Sequence, residues 1–265
     1  MWRIIHGSVQ GTSHQRSLKP CQDYCAGCIV HACFGDVVIA ACSDGAGSAE
    51  FSQVGAKLAV DTFISLACDA VVKGDFSSDD LKSSLLLDWN TEVRRRIEAE
   101  AEQRAVPSRQ LACTLLSAIL GPGWSVFSQI GDGVIVFDAP EGFQFAFWPT
   151  SGEYVNTTRF ITDLDYEVHL GFDRLERAVS EIAILTDGLQ TLALNYADGL
   201  VHDRFFRPMF DDLSRAPSVE AAQADLMTFL DSARVNLRSD DDKSLLLATR
   251  RLNPDHDQAS PPETG

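Results

Sequence analysis

The chain is poor in basic residues and has no long apolar run. Lys and Arg number 22 against 38 Asp and Glu, which leaves a formal net charge of −16. Such a charge repels phosphate backbones and argues against broad nucleic-acid binding. No apolar stretch reaches the roughly 18 residues that a membrane span needs, and Met1 to His6 lack the apolar core of a secretory signal. We therefore expect a cytoplasmic protein that binds neither nucleic acid nor membrane.

The sequence also lacks an arrangement of cysteines that would hold zinc. Seven cysteines are present, and Cys25 and Cys28 have the CxxC spacing of zinc ligands. However, residues 24–32 are predicted to form a strand, which sends Cys25 and Cys28 to opposite faces. A structural zinc site needs four converging ligands. We interpret the cysteines as reduced thiols that pack as small apolar side chains.

Apolar residues are abundant enough for one sizeable core. The chain has 265 residues, of which 45% are hydrophobic. We expect one folded domain over 1–252 and a disordered, proline-containing tail over 253–265. Strands, then helices, then strands favour an α+β domain over a wound parallel sheet. Strands are predicted near 2–10, 24–32, 36–43, within 111–148, near 179–186 and 243–250, and helices near 49–73, 79–104, 188–196, 202–214 and 218–235.

Two local features of the sequence predict how elements begin and connect. Ser48 precedes the first long helical pattern and is expected to cap that helix. Gly131 to Gly133 separate two apolar runs and are typical of a tight hairpin. Asp198-Gly199 is interpreted as an ordinary turn.

Short acidic motifs lie at the ends of apolar runs. Residues 37–42 lead into Asp44-Gly45, residues 182–185 lead into Asp187-Gly188, and Asp241 precedes residues 245–248. Apolar runs without alternation indicate strands buried on both faces. Carboxylates at the ends of such strands can converge, and they repel one another unless a cation lies between them. The pattern therefore predicts a metal centre built from oxygen ligands.

Five short motifs follow one another along the chain: Cys21-Gln22-Asp23, Ser43-Asp44-Gly45-Ala46-Gly47, Ile130-Gly131-Asp132-Gly133, Leu185-Thr186-Asp187-Gly188-Leu189 and Asp241-Asp242-Lys243-Ser244. Their order resembles that of the PPM, or PP2C, family of metal-dependent serine/threonine protein phosphatases, in particular its bacterial branch. The resemblance covers about residues 1–250. It implies a four-layer αββα fold, a central antiparallel β-sandwich flanked by helices on both faces.

The resemblance also implies roles for individual residues. Two Mn²⁺ or Mg²⁺ ions are expected, with Asp44 bridging them. Asp187 and Asp241 would complete the first ion, and Asp23 and the Gly45 carbonyl would bind the second. Asp132, together with Asp187, would hold a weaker third ion. Asp44, Asp187 and Asp241 are thus the expected catalytic residues, and a water that bridges two metals would attack phosphorus directly.

Three positions depart from the family pattern. Leu18 stands where the family places an Arg for the substrate phosphate, so Arg16, Lys19 and His14 are the alternative candidates. Gln22 replaces a common acid beside Asp23, and Ala46 stands where some relatives carry a His thought to act as general acid.

We predict a phosphatase that acts on phosphoserine and phosphothreonine in proteins, with a cognate Ser/Thr protein kinase as functional partner. The departures leave a second interpretation open, a PP2C-shaped binding or scaffold module with weak catalysis. A metal-dependent nuclease is disfavoured because the chain has no basic patch. Residues 149–177 are polar and correspond to a variable flap in bacterial relatives, where we expect substrate selection.

Overall fold

The computed structural model describes residues 1–73, 81–148 and 158–250. The predicted 253–265 tail and the first part of the predicted flap lie outside these ranges. The strands are β1 (Trp2–Val9), β2 (Tyr24–Ala32), β3 (Gly35–Ser43), β4 (Leu115–Leu120), β5 (Ser125–Ile130), β6 (Val134–Ala139), β7 (Gly142–Phe145), β8 (Gly171–Leu175), β9 (Glu181–Leu185), β10 (Leu194–Asn195), β11 (Leu200–Val201) and β12 (Lys243–Arg250). The helices are α1 (Thr12–Ser17), α2 (Ser52–Val72), α3 (Ser83–Gln103), α4 (Gln190–Ala193), α5 (Asp203–Arg215), α6 (Val219–Leu230) and α7 (Ala233–Asn236).

Ten of these strands form two five-stranded antiparallel sheets. The first sheet has the order β1-β12-β9-β6-β7, and the second has the order β2-β3-β4-β5-β8. A short hairpin, β10-β11, stands apart from both. Its turn contains Asp198-Gly199, as predicted, and Gly199 has a positive φ of 65°.

The two sheets pack face to face over an apolar core. Val38, Phe127, Ile184 and Leu246 are buried there, and Phe127 stacks on Phe137 with ring centroids 5.0 Å apart. The strands that bear the acidic motifs are buried along almost their whole length. This burial explains why their sequences are apolar without alternation.

Helices cover the outer face of each sheet. Phe63 of α2 and Trp89 of α3 pack edge to face on each other, with ring centroids 5.8 Å apart, and share a core cluster with residues of the second sheet. Phe206 of α5 and Leu226 of α6 pack with Leu247 on the first sheet. The result is the predicted αββα sandwich of an α+β domain. None of the helices in the described ranges combines the length and apolar character needed to cross a membrane.

The cysteine pair with CxxC spacing is split across a sheet, as predicted. Cys25 is buried in the core between the sheets. Cys28 packs on the opposite face, against α2, where its Sγ lies 3.3 Å from Sγ of Cys68. All seven cysteines are free thiols in the structure.

The predicted hairpin at Gly131 to Gly133 is wrong. The preceding strand, β5, pairs with β4 and β8 in the second sheet, whereas β6 pairs with β7 and β9 in the first. The turn therefore carries the chain from one sheet to the other. Gly131 has a φ of 119°, and a Cβ there would lie 2.4 Å from Cγ2 of Thr114, so the crossing requires glycine.

The predicted Ser48 cap is also wrong. The helix α2 begins at Ser52, with Phe51 at its N-cap and no capping side chain. The Phe51 amide instead donates to the Gln110 carbonyl at 2.8 Å. The chain before α2 is thus held by backbone pairing with the segment that leads to β4.

The described part of the predicted flap is more ordered than its polar sequence indicated. It contains β8 and a 3₁₀ turn at Tyr166–His169. Ile161 and Tyr166 are buried against the helical layer, and the Tyr166 hydroxyl lies 2.8 Å from Oγ1 of Thr91 on α3.

Candidate metal centre

Three carboxylates from different strand ends meet at one edge of the sandwich. Asp44 follows β3 of the second sheet, Asp187 follows β9 of the first, and Asp132 lies in the crossing between them. One oxygen from each of the three lies within 4.8 Å of the others. The predicted convergence of Asp44, Asp132 and Asp187 is therefore confirmed.

Asp23 is buried and adjoins Asp44 of this group, whose pKa it helps to raise. Its Oδ2 accepts a hydrogen bond of 2.6 Å from Oγ1 of Thr186, which in turn accepts from the Ser244 amide at 2.9 Å. Thr186 thus joins Asp23, which precedes β2, to the first sheet. Sequence analysis assigned Thr186 no role, although it lies within the motif around Asp187.

Burial and mutual repulsion disfavour the charged forms of these acids. Burial, together with the charges of Asp242 and Asp187, raises the pKa of Asp23 to about 8, although hydrogen bonds with Thr186 and Asp44 act in the opposite direction. Burial also raises the pKa of Asp44 well above its usual range, with Asp23 and Asp187 adding to the effect. The pKa of Asp187 is raised to about 7 by burial, then by Asp132 and Asp241. A centre of this kind favours either bound protons or bound cations.

The loop after β3 is fixed so that backbone approaches the acids. The Asp44 amide donates to Oγ1 of Thr114 at 2.8 Å, and the Thr114 amide donates to the Asp44 carbonyl at 2.8 Å. A Cβ on Gly45 would lie 2.6 Å from the Gln22 carbonyl oxygen, so only glycine fits. The neighbouring Ala46 amide donates to the Ala112 carbonyl at 2.9 Å, and these ladder bonds do not engage the Gly45 carbonyl.

Asp132 offers one oxygen to the centre. Its Oδ2 accepts from Oγ1 of Thr158 at 2.7 Å. Its Oδ1 is buried and has no hydrogen-bond partner among the residues that the structure describes. A buried carboxylate oxygen without a donor, beside two further carboxylates, fits a hard divalent cation such as Mn²⁺ or Mg²⁺.

Asp241 lies at the rim of the centre and not among the three closest acids. Its side chain is exposed, and Oδ1 accepts from the Asp242 amide at 2.8 Å. It is near enough to Asp187 for its charge to raise the pKa of that residue. The assignment of Asp241 as a ligand of the first ion stays a prediction.

The neighbouring Asp242 has a structural role that sequence analysis missed. It is buried and accepts hydrogen bonds from the Gly11 amide (2.6 Å), the Gln22 amide (2.5 Å) and Nδ1 of His14 (2.8 Å). These bonds hold the segment with α1 against the start of β12. The run of three acids at Asp240 to Asp242 was the available signal, but it does not show which acid turns inward.

The three candidates for phosphate binding have different surroundings. His14 is held by Asp242, and Arg16 pairs with Asp240 at 3.0 Å on the surface. Lys19 donates from Nζ to the Gly47 carbonyl at 2.7 Å, beside the Asp44 loop. Leu18 is 92% exposed and has a φ of 56° at the end of α1. Of the three candidates, Lys19 is the one whose charged group contacts the loop after Asp44.

Comparison with known proteins agrees with this geometry. The sequence profile of the family described as protein phosphatase 2C matches residues 10–231. Serine/threonine-protein phosphatase 3 of Escherichia coli K12 is 37% identical over 253 residues, which cover 93% of this chain and 98% of that protein. The matched range contains Asp23, Asp44, Asp132 and Asp187 and ends before Asp241.

Solved structures of bacterial phosphatases share the fold. A bacterial serine phosphatase superposes with a TM-score of 0.62 at 15% identity, covering 94% of this chain and 98% of that one. The phosphatase Stp1 of Staphylococcus aureus gives a TM-score of 0.61 at 15% identity, with 94% and 95% covered. Fold and acidic centre together define a protein phosphatase. The chain belongs to the protein phosphatase 2C family, because the family profile matches most of its length.

Proposed function

We propose that this chain hydrolyses phosphoserine and phosphothreonine in protein substrates at the Asp44, Asp132 and Asp187 centre. It is a serine/threonine protein phosphatase with two divalent cations, Mn²⁺ or Mg²⁺, and a weaker third. The convergence of three carboxylates from both sheets is the observation that carries the proposal. The 37% identity with the phosphatase of Escherichia coli supports it.

In this proposal, different residues of the centre would bind different cations. When bound, two such cations would activate a water for attack on phosphorus and neutralise the phosphate oxygens. We assign Asp44 to both ions and Asp187 with Asp241 to the first. Asp23 and the Gly45 carbonyl are assigned to the second. Asp132 would hold the weaker third with Asp187, through the buried Oδ1 that lacks a donor.

Other side chains determine how substrate is held and what serves as nucleophile. We assign the substrate phosphate to Lys19, and the contact of its Nζ with the Gly47 carbonyl, in the loop after Asp44, supports this assignment. Burial raises the pKa of the Cys21 thiol, so this cysteine stays protonated and is a poor nucleophile. We therefore propose one-step hydrolysis without a phosphoenzyme. Ala46 carries no acid, so the leaving oxygen takes its proton from solvent.

The activity implies partners of defined chemistry. The substrate is a phosphoprotein, and a Ser/Thr protein kinase that makes the same phosphoester is the expected functional partner. A reducing compartment such as the cytoplasm suits seven free thiols. Residues 158–177 form part of the substrate-selecting flap in this proposal.

Hydrolysis of a phosphothreonine peptide with Mn²⁺, with and without EDTA, tests the proposal. Asp44→Asn should lower kcat by about a thousandfold, because several kcal/mol of charge stabilisation are lost at about 1.4 kcal/mol per tenfold. Asp198→Asn, in the exposed β10-β11 turn, is the matched control and should retain wild-type turnover. Bound Mn²⁺ without turnover in the wild type would refute the proposal and favour a scaffold module. Preference for a phosphodiester over the monoester would favour a nuclease.

A further inference from the structure

A short chain of hydrogen bonds connects Asp132 to residues outside the centre. The backbone oxygen of Asp132 accepts from Nε2 of Gln190. The other end of that amide, Oε1, accepts from the Tyr196 hydroxyl at 2.7 Å. Gln190 therefore has both ends of its amide engaged, with its donor on Asp132 and its acceptor on Tyr196.

We propose that Gln190 and Tyr196 are positioning residues that fix Asp132 relative to Asp187 and so determine the affinity of the weak cation site shared by these two acids. The inference rests on the proposed function for the identity of that site. It concerns how this chain builds the site and assigns no new ligand.

The place of Gln190 in the chain explains why it can do this. It begins α4 directly after the 3₁₀ turn Asp187–Leu189, so its backbone moves with Asp187. Its side chain reaches the crossing that carries Asp132 between the sheets. One amide thus connects the turns that bear the two acids, which are 55 residues apart in sequence.

The remaining contacts of Asp132 leave it dependent on this connection. Thr158 holds Oδ2 at 2.7 Å, and Oδ1 is buried without a hydrogen-bond partner among the described residues. The backbone oxygen and Oδ2 are thus both held, and one carboxylate oxygen of Asp132 lies within 4.8 Å of oxygens of Asp44 and Asp187. Loss of the Gln190 bond would let the turn move, and a metal ligand displaced by a fraction of an ångström binds more weakly.

Tyr196 in turn fixes Gln190. Its ring packs edge to face on Trp148 with centroids 5.8 Å apart, and Trp148 packs on Phe145 at 4.8 Å. This row of rings limits where the hydroxyl can point. Burial raises the pKa of Tyr196, as do the charges of Asp132 and Asp187, so the phenol keeps its proton and donates to Gln190 at neutral pH.

Calorimetric titration of the full chain with Mn²⁺, without substrate, tests the proposal. The variants are Tyr196→Phe, Gln190→Met and the double variant. Each variant should weaken Mn²⁺ binding at the lowest-affinity site about tenfold and leave the affinity of tighter sites unchanged. A tenfold loss is the lower end of the range seen when a residue that holds a metal ligand is removed. The double variant should be no weaker than Gln190→Met, because Tyr196 acts through that amide. Tyr166→Phe, which removes a comparable hydroxyl bonded to Thr91, should bind Mn²⁺ as wild type does.

Thermal unfolding in EDTA separates positioning from general stability. The Tm of Tyr196→Phe should match the wild type, while activity at limiting Mn²⁺ falls and recovers at saturating Mn²⁺. Wild-type affinity at every site in Tyr196→Phe, or the absence of a weaker site in the wild type, would overturn the inference. Because the titration contains no substrate, failure of the proposed phosphatase activity would appear separately, as intact Mn²⁺ binding without turnover.

Discussion

Removal of divalent cations should make the stability of this phosphatase fall as the pH rises from 5 to 7. Asp23 and Asp187 ordinarily titrate near 3.8, but in the fold their pKa values are raised to about 8 and about 7. At a pH between the unfolded and the folded pKa of each acid, the folded state keeps a proton that the unfolded state has released. Stability is therefore greatest below the unfolded pKa and is lost as the pH rises through the folded pKa.

The slope follows from the number of protons retained. Each retained proton lowers the free energy of unfolding by about 1.4 kcal/mol per pH unit. Asp23 and Asp187 alone give a slope of about −3 kcal/mol per pH unit near pH 6, and Asp44, whose pKa is also raised, acts in the same direction. That is a large part of the roughly 5–15 kcal/mol that stabilises a typical domain. Bound Mn²⁺ would abolish the slope, because cation binding displaces these protons and compensates the charges.

Urea denaturation at pH 5, 6 and 7, in EDTA and in Mn²⁺, measures this effect. The decisive quantity is the difference in slope between the wild type and Asp187→Asn, because contributions from groups that the two proteins share cancel. The variant should have a slope in EDTA shallower by about 1.4 kcal/mol per pH unit and should exceed the wild type in stability at pH 7.5. Asp198→Asn should behave as wild type. Equal slopes in wild type and Asp187→Asn, or wild-type stability in EDTA that increases with pH, would refute the reasoning.

Three further predictions, two of them with a matched comparison variant, concern individual contacts. Asp242→Ala should lower the free energy of unfolding, measured by urea denaturation, by about 4 kcal/mol, because three hydrogen bonds to a buried carboxylate are lost. Asp241→Ala should lower it by less than about 1 kcal/mol, and the reverse order would contradict the assigned roles. Lys19→Gln should raise KM for a phosphopeptide severalfold, whereas Arg16→Gln, which breaks an exposed ion pair, should leave KM unchanged. Equal effects of the two substitutions on KM would contradict the assignment of Lys19 to the substrate phosphate. Gly45→Ala should weaken Mn²⁺ binding in calorimetry, since its Cβ would lie 2.6 Å from a backbone oxygen, and wild-type affinity would show that the loop tolerates the methyl group.

The convergence of the acids could be predicted from the sequence because it depends on burial. Strands such as β3 and β9 are covered by a sheet on one face and helices on the other, so they are apolar throughout and their polar ends are conspicuous. Because such strands are buried on both faces, their sequences do not show which sheet each strand belongs to. The residues of β5 are all buried, as are the first four of β6, so no alternation shows which sheet each strand joins. Gly131 to Gly133 therefore had the composition of a hairpin although they cross between the sheets.

The contacts that hold the ligands could not be predicted in the same way. Thr114, Thr158 and Gln190 are ordinary polar residues, and their partners lie far away in sequence. Their roles depend on side-chain direction within a few ångströms, which residue type and spacing do not determine. For the same reason the sequence could place Asp241 and Asp242 near the centre but could not show that Asp242 turns inward and Asp241 outward.

The position of β12 affects when the newly synthesised protein can complete its folding. β12 ends at Arg250 and lies between β1 and β9, so the first sheet cannot close until the residues up to Arg250 have been synthesised. β1 pairs with β12 in that sheet, so β1 cannot form this pairing until all the residues between the two strands have been synthesised. Pairing across such a sequence separation is slow. Ser244 of β12 donates to Thr186, which in turn holds Asp23, so the acids of the centre gain their full set of contacts only when β12 is in place.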